Sequence, residues 1–297
     1  MKQFKHFPPE TIYSILAEMR LNNYEEVISN ICHEILKYYQ RLQEFEGKKP
    51  KLIIGLSGGV DSTIVSFLAV RAIGKENIIT VNMPAYEGDE SVEKSNLVNR
   101  VLGTEHYTIY ISQIIDAGLK KIKTYFPIDQ ETEIGKIRIG NYASRIRVAI
   151  LYDIAKIVNG KILGTGNRTE FVQGYAAKWG TPISFDFGIL DHLYKGDIYA
   201  MAKILGVPQE VIDAIPTTGY YKEQSHEEEL GATLEEQDVA SYLLFEKGIS
   251  KEEIISQFGA SSVYLNSILQ RYLKSEDKRS IRQEHIKIRK FCDKDIK

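Results

Sequence analysis

Residues 51 to 74, KLIIGLSGGVDSTIVSFLAVRAIG, decide the fold. Leu52, Ile53, Ile54 and Leu56 form a short, nearly continuous apolar run, the pattern of a parallel strand buried on both faces. From Thr63 to Ala72 almost every position is apolar again, so a buried helix is expected to follow. Between the two runs stand Ser57, Gly58, Gly59, Val60, Asp61 and Ser62. The glycines let backbone N–H groups turn inward with no Cβ in the way, and hydroxyls flank them. Such a loop, feeding a helix N-terminus, is built to hold an anion. A plainer account is a tight turn with a serine or aspartate capping the helix, but that does not require S-G-G-x-D-S. The G-x-x-x-x-G-K-[ST] phosphate loop and its lysine are absent.

The chain of 297 residues has ample length for a large α/β core with appendages. A net charge of −2 and a pI near 6.3 argue against the basic footprint that nucleic acid needs. Positive charge must therefore be local, at a small anionic ligand. Cys32 and Cys292 lie at opposite ends without partner spacing, so neither a disulfide framework nor a metal site follows from them. Incidental thiols fit a reducing cytoplasm. The start MKQFKHFPPE lacks an apolar signal region, and no run approaches the roughly 18 apolar residues of a membrane span. Neither secretion nor membrane insertion is expected.

Upstream, residues 10 to 46 carry helical periodicity through Ile12, Ile15, Leu16 and Met19, then Val27, Ile28, Ile31, Ile35, Leu36 and Tyr39, which predicts two helices. Downstream, Ile78 to Met83 reads as a second strand ended by Pro84. Glu90 to Leu102 reads as a helix closed by Gly103, His106 to Ile111 as a third strand, and Ile114 to Tyr125 as another helix. Residues 126 to 140 read as a loop before a helix from Asn141 to Val158, in which Arg145 and Arg147 face different sides. Lys161 to Gly164 forms a fourth strand. It is followed by Thr165, Gly166, Asn167, Arg168, Thr169 and Glu170, a second collection of hydroxyl, glycine and carboxylate. For Thr169 and Glu170 a helix cap is the competing account. The alternation predicts an α/β fold, a doubly wound parallel sheet with flanking helices and a ligand at the carboxyl ends of its strands. The expected organisation is a single unit over 1–297: N-terminal helices to about residue 48, a core over 49–280, and a tail over 281–297.

The loop's spelling resembles the pyrophosphate loop of ATP pyrophosphatases, which split ATP between the α and β phosphates. Beyond it, GLSGGVDS (55–62), GNYASRIR (140–147), LGTGNRTEFVQGYAAKWG (163–180), HLYKGDIYAMAKILGVP (192–208), IPTTG (215–219) and EQSHEEELGAT (223–233) follow the order and approximate spacing of ammonia-dependent NAD synthetases. The chain resembles that family over about residues 20 to 280. The resemblance implies an adenine nucleotide alpha hydrolase-like, Rossmann-like fold and a cytoplasmic homodimer with both subunits at the dinucleotide site. It also implies a C–N-forming ligase that joins ATP, ammonia and deamido-NAD into NAD, AMP and pyrophosphate through an acyl adenylate. Gly55, Leu56, Ser57, Gly58, Gly59, Val60, Asp61 and Ser62 would then wrap the phosphates of ATP, while Asp61 and Glu170 hold Mg²⁺. Thr165, Lys195 and Thr217 fall at the other ATP positions, with Asp61 and Lys195 the catalytic pair. Arg145, Lys178, Asp186 and Lys278 would face deamido-NAD. Taken alone, Lys195 reads as a solvated lysine at a helix start and Arg145 as a structural ion-pair partner; the matched segments supply their roles. Gln224 to Glu229 resembles a mobile acidic loop that closes over the site. Only about 50 residues precede the phosphate loop, too few for a glutaminase domain. Free ammonia, or a separate glutaminase chain, is the expected nitrogen source.

Three departures concern the acceptor and closure. The family's K-[YF]-G-D-G-G-x-D is here Lys178-Trp179-Gly180-Thr181-Pro182-Ile183-Ser184-Phe185-Asp186, one residue longer and without the inner acid. A His-Lys pair is replaced by Asp277-Lys278, and Leu-Trp-Pro-Gly by Tyr220-Tyr221-Lys222-Glu223. The competing readings are a related synthetase that amidates another carboxylate, a tRNA-modifying ATP pyrophosphatase, and a catalytically silent ATP-binding protein.

Overall fold

The computed structural model describes residues 5–46, 49–127, 129, 131–214 and 226–279. In chain order, helices α1 (Pro9–Met19) and α2 (Tyr24–Glu46) precede strand β1 (Leu52–Gly55) and helix α3 (Val60–Ile73). Next come β2 (Ile78–Asn82), α4 (Ser91–Leu102), β3 (Glu105–Thr108), α5 (Ser112–Lys123), α6 (Glu133–Ile157), β4 (Lys161–Asn167), α7 (Arg168–Gln173) and β5 (Phe187–Leu190). The rest is helical: α8 (Lys195–Leu205), α9 (Gln209–Ile212), α10 (His226–Leu230), α11 (Leu234–Ser241), a π-helical turn at Tyr242–Glu246, α12 (Lys251–Phe258), α13 (Ser262–Lys274) and α14 (Glu276–Arg279).

The five strands pair in parallel in the order β3-β2-β1-β4-β5. Alternation along each strand sends side chains to opposite faces. Leu52, Ile54 and Ile78 join Ile28, Ile35, Ile64, Leu68 and Ile198 from α2, α3 and α8. Ile53, Ile79 and Ile162 meet Ile115, Leu119 and Leu151 from α5 and α6. This is the expected doubly wound sandwich. The strand order reverses between β1 and β4, and the crevice at their carboxyl ends is where such sheets take ligands.

Several boundaries differ from expectation; strand β3, for one, ends at Thr108 instead of Ile111. Helix α6 starts at Glu133 instead of Asn141, because Thr132 Oγ1 accepts a hydrogen bond from the Gly135 N–H at 3.1 Å and caps it. Gly135 and Gly140, both buried, interrupt the apolar periodicity of the first turns. Strand β4 continues to Asn167. The N-terminal helices also part company. α2 packs on the sheet, whereas α1 joins α11, α12 and α13 in a second core around Ile15, Val239, Leu243, Ile254 and Leu265. Gly103 ends α4 as expected, with a left-handed φ of 65° and its N–H on Asn99 O at 2.7 Å.

The loop between β1 and α3 asks different things of its glycines. Gly58 has φ 76°, and a Cβ there would lie 2.5 Å from Lys94 Cβ and 2.8 Å from the Ser95 backbone N of α4. Gly59 has an ordinary φ of −78°, and a Cβ there would come no nearer than 3.4 Å to Ser57 Oγ. Gly58→Ala is therefore expected to cost about 2 kcal/mol or more in urea unfolding and Gly59→Ala less than about 0.5 kcal/mol; equal costs would contradict this loop geometry.

Helix α11 packs against α7 and α8 and buries Asp238, 2% exposed. Burial pushes this carboxyl from 3.8 up to about 7, against hydrogen bonds from Thr169 and Gly196 that favour the anion. A folded value above the unfolded one means that this contribution to stability is complete below the unfolded value and is lost as pH rises through the folded one. Asp238→Asn does not ionise. Its stability should gain on the parent by a few kcal/mol between about pH 4 and about pH 8, and a pH-independent gap between their melting curves would refute the assignment.

Candidate active site

The loop that leaves β1 is held from both sides. The Leu56 N–H donates to Val81 O at 2.8 Å, and Asn82 Nδ2 donates to Leu56 O at 2.9 Å. Within the loop, the Ser57 N–H donates to Ser62 Oγ (3.2 Å), the Gly59 N–H to Ser57 Oγ (3.3 Å), and Ser62 Oγ to Gly59 O (3.1 Å). The N-cap of α3 is Gly59, and no side chain caps the helix. The plainer account, with a serine or aspartate as cap, therefore fails, and the positive end of α3 is left for an anion.

Asp61, in the first turn of α3, gathers the neighbouring elements. Its Oδ1 accepts from Asn167 Nδ2 at 2.9 Å, and its Oδ2 accepts a short hydrogen bond from Lys195 Nζ. Lys195 is the first residue of α8 and is 3% exposed. Burial opposes its charge, yet Asp61 and Glu170 together hold its pKa above the ordinary lysine value. The expectation of a solvated lysine thus gives way to a buried cation between two carboxylates.

Glu170 belongs to both readings that the sequence left open. Asn167 is the N-cap of α7: its Oδ1 accepts from the Glu170 N–H at 2.9 Å, while Glu170 Oε2 accepts from the Asn167 N–H at 3.2 Å. Thr169 is no cap; its hydroxyl donates to Asp238 Oδ1 at 2.6 Å. Burial, and then the charge of Asp61, push the Glu170 carboxyl up to about 8, although Lys195 and the Asn167 N–H pull the other way. A carboxylate pair this costly is relieved by a cation. Among the described residues no cluster of three or more His, Cys, Asp or Glu could enclose a metal ion. Mg²⁺, however, keeps several waters and phosphate oxygens and needs only one or two carboxylates. Asp61 and Glu170 fit such an ion.

The acceptor candidates divide. Arg145 Nε, on α6, donates to Lys178 O at 2.9 Å, while Arg147 turns elsewhere, its Nε donating to Met83 O at 3.1 Å. Lys178 Nζ pairs with Asp277 at 2.8 Å, and Lys278 Nζ donates to Gly174 O at 2.8 Å. Arg145, Lys178 and Lys278 thus collect near the carboxyl end of α7. Asn167 caps its amino end and Glu170 stands in its first turn, about 6 Å along the axis from Gly174. Two departures from the family pattern, the 178–186 loop and Asp277, meet here in one ion pair. Asp186 is not brought to this place. It is exposed, and its Oδ2 accepts from the Ile162 N–H at 2.8 Å near the amino end of β4. That is the end of the sheet opposite the crevice, where this carboxylate fastens β5 to β4, so the fold does not bring Asp186 together with Arg145, Lys178 and Lys278. Thr165 lies on β4 two residues before Asn167. Thr217, and the part of the closing segment before His226, lie outside the described residues. The remainder of that segment forms α10, where Glu229 accepts a short hydrogen bond from Tyr175 OH. Leu230, Leu234 and Gln237 line a small pocket together with Glu170, Tyr175 and Lys195.

Sequence reading overlooked Asn82, Asn167 as the donor to Asp61, and Asp238. The spacing of Asn167 three residues before Glu170 is a capping signature that pointed to the second. For Asp238 no local signal exists.

A model described as NAD synthase matches residues 27–282. The chain is 34% identical over 263 residues to the NH3-dependent NAD+ synthetase of Pyrococcus furiosus, covering 89% of this chain and 95% of the relative. It is 35% identical over 266 residues to the Thermococcus sibiricus enzyme of the same name, covering 89% and 98%. Among solved structures, the NMN synthetase of Francisella tularensis superposes with a TM-score of 0.70 at 25% identity, covering 87% of this chain and 98% of that one. The NH3-dependent NAD synthetase of Campylobacter jejuni shares the fold, with a TM-score of 0.68 at 24% identity over 90% and 100% of the two chains. A match over most of the length, in both sequence and fold, shows that the chain belongs to the NAD synthase family.

Proposed function

We propose that the chain is a ligase that amidates deamido-NAD to NAD at the expense of ATP, with ammonia as the nitrogen source. The observation that carries this reading is the meeting of Asp61, Lys195 and Glu170 beside an uncapped helix that starts in S-G-G-x-D-S. A nicotinate carboxylate is a poor electrophile, and ammonia cannot expel oxide from it. Its oxygen therefore attacks the α-phosphorus of ATP, the bond to the bridging oxygen breaks, and pyrophosphate leaves with the electron pair. Ammonia then adds to the acyl carbon, AMP departs, and one proton is lost.

In that sequence the N–H groups of the Gly55–Ser62 loop bind the phosphates, and Thr165 and Thr217 complete the nucleotide contacts. Lys195 offsets the growing charge from a buried position, where a cation is worth more than in water. Mg²⁺, held by Asp61 and Glu170, would neutralise phosphate charge as two anions approach. Arg145, Lys178 and Lys278, at the other end of α7, suit the acceptor. No residue serves as covalent nucleophile, because the substrate carboxylate attacks. Ile134, Ile137 and Tyr152, exposed on the same side of α6 as Arg145, give an apolar stripe for self-association as a homodimer. Among the described residues no helix is long and apolar enough to cross a membrane. The reading expects a cytoplasmic enzyme supplied by free ammonia or by a separate glutaminase.

A second acceptor is favoured by one observation: Asp277 neutralises Lys178 just where the sequence departs from the family. The Francisella neighbour is an NMN synthetase, so the mononucleotide counterpart of deamido-NAD is the competitor to test. Incubation with Mg-ATP, ammonium and either acceptor, followed by product separation, should yield NAD with equal AMP and pyrophosphate from the dinucleotide. Product from the mononucleotide alone would move the assignment there, and ADP as the nucleotide product would overturn both. Asp61→Asn should lower kcat by about 100-fold or more without changing the circular dichroism spectrum. Arg145→Ala should raise KM for the acceptor about tenfold with kcat nearly unchanged. A parental rate for Asp61→Asn, or a kcat loss without a KM change for Arg145→Ala, would sink the respective role.

A further inference from the structure

We infer that Asp238, on α11, is a positioning residue of the nucleotide site: it locks the starts of α7 and α8 together, so that Glu170 and Lys195 present their charges to Asp61 as one unit. Asp238 Oδ1 accepts from Thr169 Oγ1 at 2.6 Å, and its Oδ2 accepts from the Gly196 N–H at 2.9 Å. The ring closes through Thr169, whose Oγ1 also accepts from the Lys195 N–H at 3.2 Å. One carboxylate thus ties a side chain of α7 to two successive backbone N–H groups at the start of α8.

The residues in this ring adjoin the reacting groups. Thr169 precedes Glu170, and Lys195 carries the ammonium that reaches Asp61. The Lys195 side chain is buried and cannot rearrange freely, so a rotation of the first turn of α8 displaces Nζ from Asp61. The six residues of α7 likewise have little stiffness of their own and hold Glu170 through the Asn167 cap and this Thr169 contact. A buried carboxylate is expensive, and a helix start can be capped by a neutral hydroxyl. What aspartate adds is two acceptors on one rigid plane, enough to fix two helices at once. Asp238 holds them from α11, the helix that follows α10, and the adjacent Gln237 lines the pocket beside Lys195. Any shift of the α10–α11 segment is thereby transmitted to the nucleotide site.

This inference rests on the nucleotide reading of the Asp61 site, and calorimetric binding of Mg-ATP tests it alongside turnover. Asp238→Ala should weaken Mg-ATP binding about tenfold and lower kcat on the order of 100-fold, while KM for deamido-NAD stays within about twofold of the parent. Asp238→Asn should recover both to within about threefold, since its amide keeps an oxygen for the Gly196 N–H and an NH₂ for the Thr169 hydroxyl. Thr169→Val cuts the same ring. Combined with Asp238→Ala it should add less than about threefold to the worse single loss. Parental ATP binding in Asp238→Ala, losses that multiply in the double variant, or no recovery in Asp238→Asn would overturn the inference. Should Asp238→Ala fail to fold, parental binding by Thr169→Val overturns it instead. A parent enzyme that binds ATP but makes no AMP refutes the ligase reading alone, whereas one that binds no ATP refutes both.

Discussion

Asp61 accepts hydrogen bonds from Asn167 at the end of β4 and from Lys195 at the start of α8, while it sits in the first turn of α3. Three segments that are far apart in the chain therefore converge on one carboxylate. Lys195 is buried, and the charge of Asp61 is one of the two that keep it protonated there. Removing the acid would strand a cation in a low-dielectric place, the costliest kind of broken ion pair. Glu170 shows the opposite side of this balance. Burial, and then the charge of Asp61, disfavour a second carboxylate and push the Glu170 carboxyl up to about 8. One excess acid beside an uncapped helix start suits the metal-nucleotide complex proposed for this site, because the cation offsets the acid and the helix start favours the phosphate.

The surroundings follow from that centre. Gly58 has to be glycine because α4 packs against the loop from outside, and Asn82 secures the loop from β2 through Leu56 O. Helix α7 is short, so Glu170 in its first turn and the Arg145, Lys178 and Lys278 group near its carboxyl end lie within about 9 Å along its axis. In the proposed reading, nucleotide chemistry and acceptor recognition share this one small element. The pairing of Lys178 with Asp277 gives the acceptor end a charge balance different from that implied by a His-Lys pair.

The second core bears on the site indirectly. α1 leaves the sheet and packs with α11, α12 and α13, and the His6 N–H donates to Glu236 Oε1 at 2.5 Å. Glu236 also accepts from the Thr233 N–H at 3.1 Å, which closes the cap of α11. The amino terminus thus steadies the helix that carries Asp238.

By itself the sequence determined four of the five strands, the phosphate loop and the family. Each of these is written in contiguous residues: an apolar run for β1, S-G-G-x-D-S for the turn, and matched segments from GLSGGVDS to EQSHEEELGAT. Asp61, Glu170 and Lys195 were legible for the same reason, since each stands inside such a segment. The start of α6 was not legible, because Gly135 and Gly140 interrupt the periodicity and the cap at Thr132 lies upstream of the expected start. Asp186 matched by position, and only the fold shows that its hydrogen bond with the Ile162 N–H sets it at the amino end of β4, apart from Arg145 and Lys178. Asp238 carried no local mark at all. Whether a carboxylate lies against a backbone N–H, a hydroxyl or a lysine depends on which helices pack together, and that is decided by apolar contacts among residues tens of positions apart. Only the tertiary structure could bring Thr169, Lys195 and Asp238 into one ring and pair Lys178 with Asp277.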